Sequence, residues 1–180
     1  MKYKDDIRYI NRVLGGDTSA FSVLVERYQS FVYTIVLKVV GNKEEAEEAA
    51  QDAFMKVFGA LHTFKGDADF STWVYRIAYN TGVSKIRQRK HFFVPIDDVT
   101  VNESDADFSS ENLSIRIAAL QAALTKLSRD EQLLVSLYYT EENSIDEVAR
   151  ITGLTGSNVK VRLHRIRKKI YAELKGVNNE

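Results

Sequence analysis

Apolar residues recur every three to four positions along most of the chain, and no stretch alternates strictly between apolar and polar. That periodicity belongs to helices with one buried stripe, not to strands. In NKEEAEEAAQDAFMKVFGAL, the residues Ala46, Ala50, Ala53, Phe54, Val57 and Leu61 fall on one face. Glu44, Glu48, Gln51, Asp52 and Met55 fall on the other. Helix-start signals agree: Asn42 with Glu45, Ser128 with Glu131, and Ser144 with Glu147 have capping-box spacing, in which side chains satisfy orphan N–H groups. The pattern predicts helices over 5–14, 18–40, 43–60, 71–90, 114–126, 129–140, 145–152 and 156–174. It breaks across 93–113, which holds Pro95 and a run of Ser, Asn and Asp, and reads as a linker. The expected architecture is all-α, with two small helical domains at 1–92 and 114–180 joined by a flexible acidic tether.

Charge sharpens this division. The net charge of the 180 residues is zero, yet residues 93–113 carry six acids and no Lys or Arg, while each flanking block has a balance of +3. Two mildly basic domains are thus joined by an acidic strap that can lie against their basic faces. The sequence contains no cysteine, which removes disulfides, zinc–thiolate sites and thiol nucleophiles. The first residues lack the apolar stretch of a secretory signal. The longest uncharged run, Tyr28 to Leu37, is about half of the roughly 20 residues a membrane span needs. A cytoplasmic protein without membrane insertion is expected. His62, His91 and His164 are far apart, and no Gly-rich phosphate loop or nucleophile motif is present. The sequence therefore predicts neither an enzyme nor a cofactor, metal or small-molecule substrate.

Three segments carry candidate binding chemistry. KVRLHRIRKK, residues 160–169, contains six Lys/Arg and no carboxylate. On a helix at about 100° per residue, Val159, Leu163, Ile166 and Ile170 form the buried stripe. Ser157, Val161, His164, Arg165 and Lys168 face outward, flanked by Lys160, Arg162 and Arg167. The preceding SIDEVARITGLTG reads as a short capped helix and a tight turn, which together make a helix-turn-helix. Flanking cations can neutralise phosphates, Lys160 or Arg165 can donate to guanine, and an exposed Val161 can touch a thymine methyl. A second segment, FKGDADFSTWVYRIAYNTGVSKIRQRKH, interleaves Phe64, Trp73 and Tyr79 with Lys65, Arg76 and Arg87, as single-stranded nucleic acid requires. Trp73 and Phe70 at this spacing are also ordinary core residues. The third is the acidic face around Gln51, which from periodicity alone is best read as a solvated surface.

Taken in order, GDTSAFSVLVERYQSFVY, EEAEEAAQDAFMKVF, FKGDADFSTWVYRIAYN and LTKLSRDEQLLVSLYYTEENSIDEVARITGLTGSNVKVRLHRIRKKI resemble an extracytoplasmic-function (group 4) sigma factor of bacterial RNA polymerase. The resemblance covers nearly all of 15–92 and 118–171. It implies sigma region 2 and region 4, with core RNA polymerase (β′ clamp helices and β flap), promoter DNA and an anti-sigma factor as partners. It implies that Glu48, Gln51, Asp52 and Met55 dock on the β′ clamp. Phe64, Lys65, Trp73, Arg76, Asn80 and Arg87 would engage the minus-10 element, with Asn80 lining a pocket for a flipped base. Ser157, Lys160, Val161, Arg162, His164, Arg165 and Lys168 would read the minus-35 element. The acidic linker would thread toward the polymerase cleft. Ser84, Thr155, Asn158 and the EEAA stretch depart from the common family pattern.

Two other readings explain less. A sigma-like module that only binds an anti-sigma factor has no use for the basic residues at 85–90 and 160–169. A conventional repressor leaves the acidic face and the aromatic–basic segment without a role.

Overall fold

The computed structural model describes residues 5–90 and 111–177, and within these there are eight α-helices and no strand. The first half contains α1 (Asp6–Leu14), α2 (Phe21–Val40), α3 (Lys43–Ala60) and α4 (Phe70–Lys90). The second contains α5 (Glu111–Thr125), α6 (Arg129–Val135), α7 (Ile145–Thr152) and α8 (Gly156–Val177). Short 3-10 turns precede α2 and follow α3. The all-α expectation holds, with helix ends within a few residues of those predicted. Most of the acidic segment expected as a linker lies outside the described residues.

The alanine-rich stripe of α3 explains the packing of the first half. Ala46, Ala49, Ala50 and Ala53 are buried, and small side chains let α3 sit close against α2 and α4. Leu24, Val32, Ile35 and Val36 of α2 and Val74 and Ala78 of α4 complete this core. Tyr28 sits at its centre, edge-on to Phe70 at 5.6 Å and to Tyr75 at 6.0 Å. An ion cluster ties α1 to α2. Asp6 is buried, and a buried carboxylate is stable only when paired. Arg27 donates to Asp5 and Asp6 at 2.8 Å, and the Tyr28 hydroxyl donates to Asp6. These contacts hold the Arg27 guanidinium well above the ordinary arginine range, the Asp5 hydrogen bond contributing most.

In the second half, α8 packs against α5, α6 and α7 through Val159, Leu163 and Ile166, all buried. Two of the three predicted capping boxes are complete, those at Ser128 and Ser144, whereas at Asn42 only the side-chain half is present. The Glu131 amide donates to Ser128 Oγ and the Glu147 amide to Ser144 Oγ, each at 3.3 Å, and both carboxylates reach back to their cap amides. At the start of α3, the Glu45 amide donates to Asn42 Oδ1 at 2.8 Å. Helix α6 runs on into a π turn, Ser136–Thr140, a departure from the continuous helix predicted over 129–140. Buried Asn143 closes that turn by donating to the Leu137 carbonyl at 2.9 Å.

The two halves pack against each other, α6 on α2 and α7 on α4, and their apolar residues form one connected cluster. Periodicity gave no sign of this, because it reports which face of a helix is buried and not which helix covers it. Gly41 lies at this junction. It ends α2 at φ +79°, and the Arg129 guanidinium lies where a side chain would project. Gly41→Ala is expected to cost about 1–2 kcal/mol, chiefly for the left-handed backbone, since the tip of Arg129 can swing away. Urea unfolding reads this directly. An unchanged midpoint would show that the C-cap of α2 tolerates a side chain.

Candidate protein and nucleic-acid interfaces

The outward face of α3 carries the acidic residues expected there. Glu48, Gln51 and Met55 are exposed and Asp52 is half-buried. Met55, 66% exposed, is too open to be a core residue. Gln51 lines a groove of about 470 Å³ between α2 and α3 with Tyr33 and Phe54. Phe58, 42% exposed and edge-on to Phe21 at 5.0 Å, extends the same apolar surface. Sequence periodicity does not single it out, because it falls between the two helical stripes. Glu48 is not a free carboxylate. It accepts from Lys85 of α4 at 2.7 Å, and that hydrogen bond raises the Lys85 ammonium above its ordinary range, with the charges of Glu48, Asp52 and Glu45 adding to it.

The aromatic–basic segment builds a cleft. The loop after α3 brings Phe64 against Phe70 at 5.3 Å and against Trp73 at 5.5 Å, while Phe70 and Trp73 stack at 5.7 Å. Phe70 is core, whereas Trp73 and Phe64 are half-buried. Beside them opens a cleft of about 330 Å³ lined by Thr63, Phe64, Lys65, Gly66, Asp67, Ala68, Thr72, Trp73, Arg76 and Arg150. Four expected minus-10 residues, Phe64, Lys65, Trp73 and Arg76, therefore share one site. Asn80 and Arg87 are exposed further along α4 and do not line it. Arg150 comes from α7, and its sequence looked like an ordinary cation in a helix's last turn.

The helix-turn-helix takes the expected form. Helix α7 ends at Gly153 with φ 73°, and α8 begins at Gly156. Ser157, Lys160, Val161, Arg162, His164, Arg165, Arg167 and Lys168 are all exposed, opposite the buried stripe. Val161 is 48% exposed. Arg162 Nε donates to Asn158 Oδ1 at 2.9 Å, which steadies one flanking cation along the helix. Among the described residues no group of His, Cys, Asp and Glu is arranged to hold a metal ion, and no helix is long and apolar enough to cross a membrane.

Comparison with known proteins agrees with this geometry. Residues 24–92 match Sigma-70 region 2, and residues 117–170 match Sigma-70, region 4. The chain is 29% identical to the ECF RNA polymerase sigma factor SigW of Bacillus subtilis, over 92% of this chain and 95% of that protein. It is 31% identical to the ECF RNA polymerase sigma-E factor of Escherichia coli K12, over 89% of this chain and 90% of that one. It shares its fold with the sigma factor RpoE of Bartonella quintana, solved in complex with the anti-sigma factor NepR. There the TM-score is 0.63 at 22% identity, over 86% of this chain and 96% of that one. A helical region 2 followed by a region 4 helix-turn-helix defines a promoter-specific transcription initiation factor of the sigma-70 class. Within that class, the chain belongs to the extracytoplasmic-function sigma factors of bacterial RNA polymerase.

Proposed function

We propose that residues 1–92 dock on core RNA polymerase and capture the opened minus-10 strand, and that residues 114–180 read the minus-35 duplex. The exposed α3 face of Glu48, Gln51, Asp52 and Met55 binds the β′ clamp helices, region 4 meets the β flap, and an anti-sigma factor competes for these surfaces. The chain acts in the cytoplasm and is no enzyme, since the chemistry belongs to the polymerase. One observation carries the reading: Phe64, Lys65, Trp73 and Arg76 line one cleft of about 330 Å³, the rings half-buried and the cations exposed. That is the composition an unstacked base and its phosphate require. The other half of the reading rests on the exposed, cationic outer face of α8.

The test separates docking from strand capture. The chain is expected to co-purify with core polymerase and to start transcription at defined positions on a duplex promoter. Trp73→Ala should weaken binding of the opened strand by about 1–3 kcal/mol, the worth of one base–aromatic stack. Arg76→Ala, at an exposed position that cannot disturb the core, should weaken it in the same direction. Core binding should be unchanged in both. Equal loss of core binding and strand binding would sink the assignment of this cleft.

A further inference from the structure

The cleft beside Trp73 gathers more positive charge than one base of a strand can use. Its rings are Phe64 and Trp73, both half-buried and 5.5 Å apart, with Phe70 stacked on Trp73 at 5.7 Å. Three cations line the same space: Lys65 from the loop after α3, Arg76 from α4 and Arg150 from α7. Asp67 is the one carboxylate among the lining residues. Lys65 and Arg76 are exposed, and neither has an ion-pair or hydrogen-bond partner among the described residues. Arg150 is anchored through Nη1, which donates to the Asp67 carbonyl at 3.1 Å, and the other donors of its fork are left over. A single strand offers one phosphate charge per base. Clustered cations around one pair of rings call instead for a base that carries several phosphate charges itself. The volume of about 330 Å³ lies at the small end of ligand pockets, and suits one nucleotide.

We propose that this cleft also binds a free nucleoside diphosphate, with its base against Trp73 and Phe64 and its phosphates among Lys65, Arg76 and Arg150. The two guanidinium forks can each hold a pair of phosphate oxygens, and Lys65 adds a point charge. The nucleotide is a ligand, bound and released unchanged. This goes beyond strand capture but uses the same cleft, so the two ligands exclude each other. A nucleotide held there lowers the share of chains able to take the opened strand. Arg150 tells the two apart. A strand that follows α4 continues from Arg76 toward Asn80 and Arg87, which are exposed further along that helix, and has no need of a cation from α7. A diphosphate clustered beside the rings does need it.

Trp73 is the only tryptophan of the chain, so the full-length protein carries its own reporter of a base stacked in the cleft. GDP is the probe, and it is expected to quench Trp73 fluorescence saturably. Guanosine, which lacks the charge-assisted bonds to phosphate, should need a concentration roughly tenfold or more higher. Pyrophosphate, which lacks the stacked base, should displace GDP only at a similar excess. Arg150→Ala, at an exposed position, should weaken GDP binding roughly tenfold, the loss of one charge-assisted contact. The same substitution should leave binding of a short fluorescent single-stranded DNA of mixed sequence unchanged, and excess GDP should displace that strand. The proposal is overturned if GDP gives no saturable quenching, if guanosine binds as tightly, or if Arg150→Ala binds GDP as well as the unmodified chain. Should GDP fail while the strand binds and is lost in Lys65→Ala with Arg76→Ala, the minus-10 reading stands and the nucleotide site falls. Should GDP bind as expected while the strand ignores both GDP and that double substitution, the nucleotide site stands and strand capture belongs to another surface.

Discussion

Replacing Glu48 and Asp52 together with lysine is expected to weaken binding to core RNA polymerase by about a hundredfold, close to 3 kcal/mol. The expectation comes from two features of α3. Its buried stripe is mostly alanine, with Val57, so its long side chains are on the outer face. That face holds Glu44, Glu47, Glu48 and Asp52, with Met55 exposed among them. A basic partner surface that accepts this pattern meets two repulsive charges in the variant, and like charges at an interface cost several kcal/mol. The fold should be spared, because Glu48 is exposed and its pairing with Lys85 is a surface ion pair, worth about 1 kcal/mol or less. Lys85→Ala is the informative companion. It releases Glu48 to the partner, so core affinity should hold or rise. Competition for core polymerase against the unmodified chain measures both. Wild-type affinity in the double reversal would place docking elsewhere, and a large loss in Lys85→Ala would show that the pair, not the acidic face, is recognised.

The helices were legible because their signals are local. The caps at Asn42, Ser128 and Ser144 each act within three residues, and the stripe through Val159, Leu163 and Ile166 repeats within a single helix. The exposed faces of α3 and α8 emerge from the same periodicity by subtraction. The residues of α8 themselves pointed to duplex DNA, whereas the partner proposed for the acidic face of α3 comes only from the family resemblance. The contacts between halves were not legible, because they join residues far apart in the chain. Arg150 to the Asp67 carbonyl and Tyr75 to Glu141 leave no periodic trace. The cleft was half legible. The mixture of rings and cations marked the segment, but not the loop after α3 that brings Phe64 and Lys65 beside Trp73 and Arg76. Loop geometry decided that, through Gly66 at φ 78°, and it has no counterpart in helical spacing.

Three substitutions on α8 are expected to separate its three faces, and the largest effect belongs to the one that touches no DNA. Leu163 is 1% exposed in the core of the second half, so Leu163→Ala should cost about 2–5 kcal/mol of stability through lost burial and the cavity left behind. A loss of this size is comparable to the whole stability of a small domain, so duplex binding should disappear with the fold. Val161, two residues away and 48% exposed, should behave in the opposite way. Val161→Ser should move the unfolding midpoint by no more than about 0.5 kcal/mol. It should shift base preference at one or two positions by roughly 1 kcal/mol, through the loss of an apolar contact with a thymine methyl. Arg167 is exposed on the flank. Arg167→Ala should weaken all duplexes about equally and reduce the salt slope by roughly one. Urea unfolding, followed by binding to single-base variants of the minus-35 element at several salt concentrations, reads all three. Should Val161→Ser weaken every duplex equally while Arg167→Ala changes the preferred base, then α8 lies in the groove rotated from the orientation its exposed face implies.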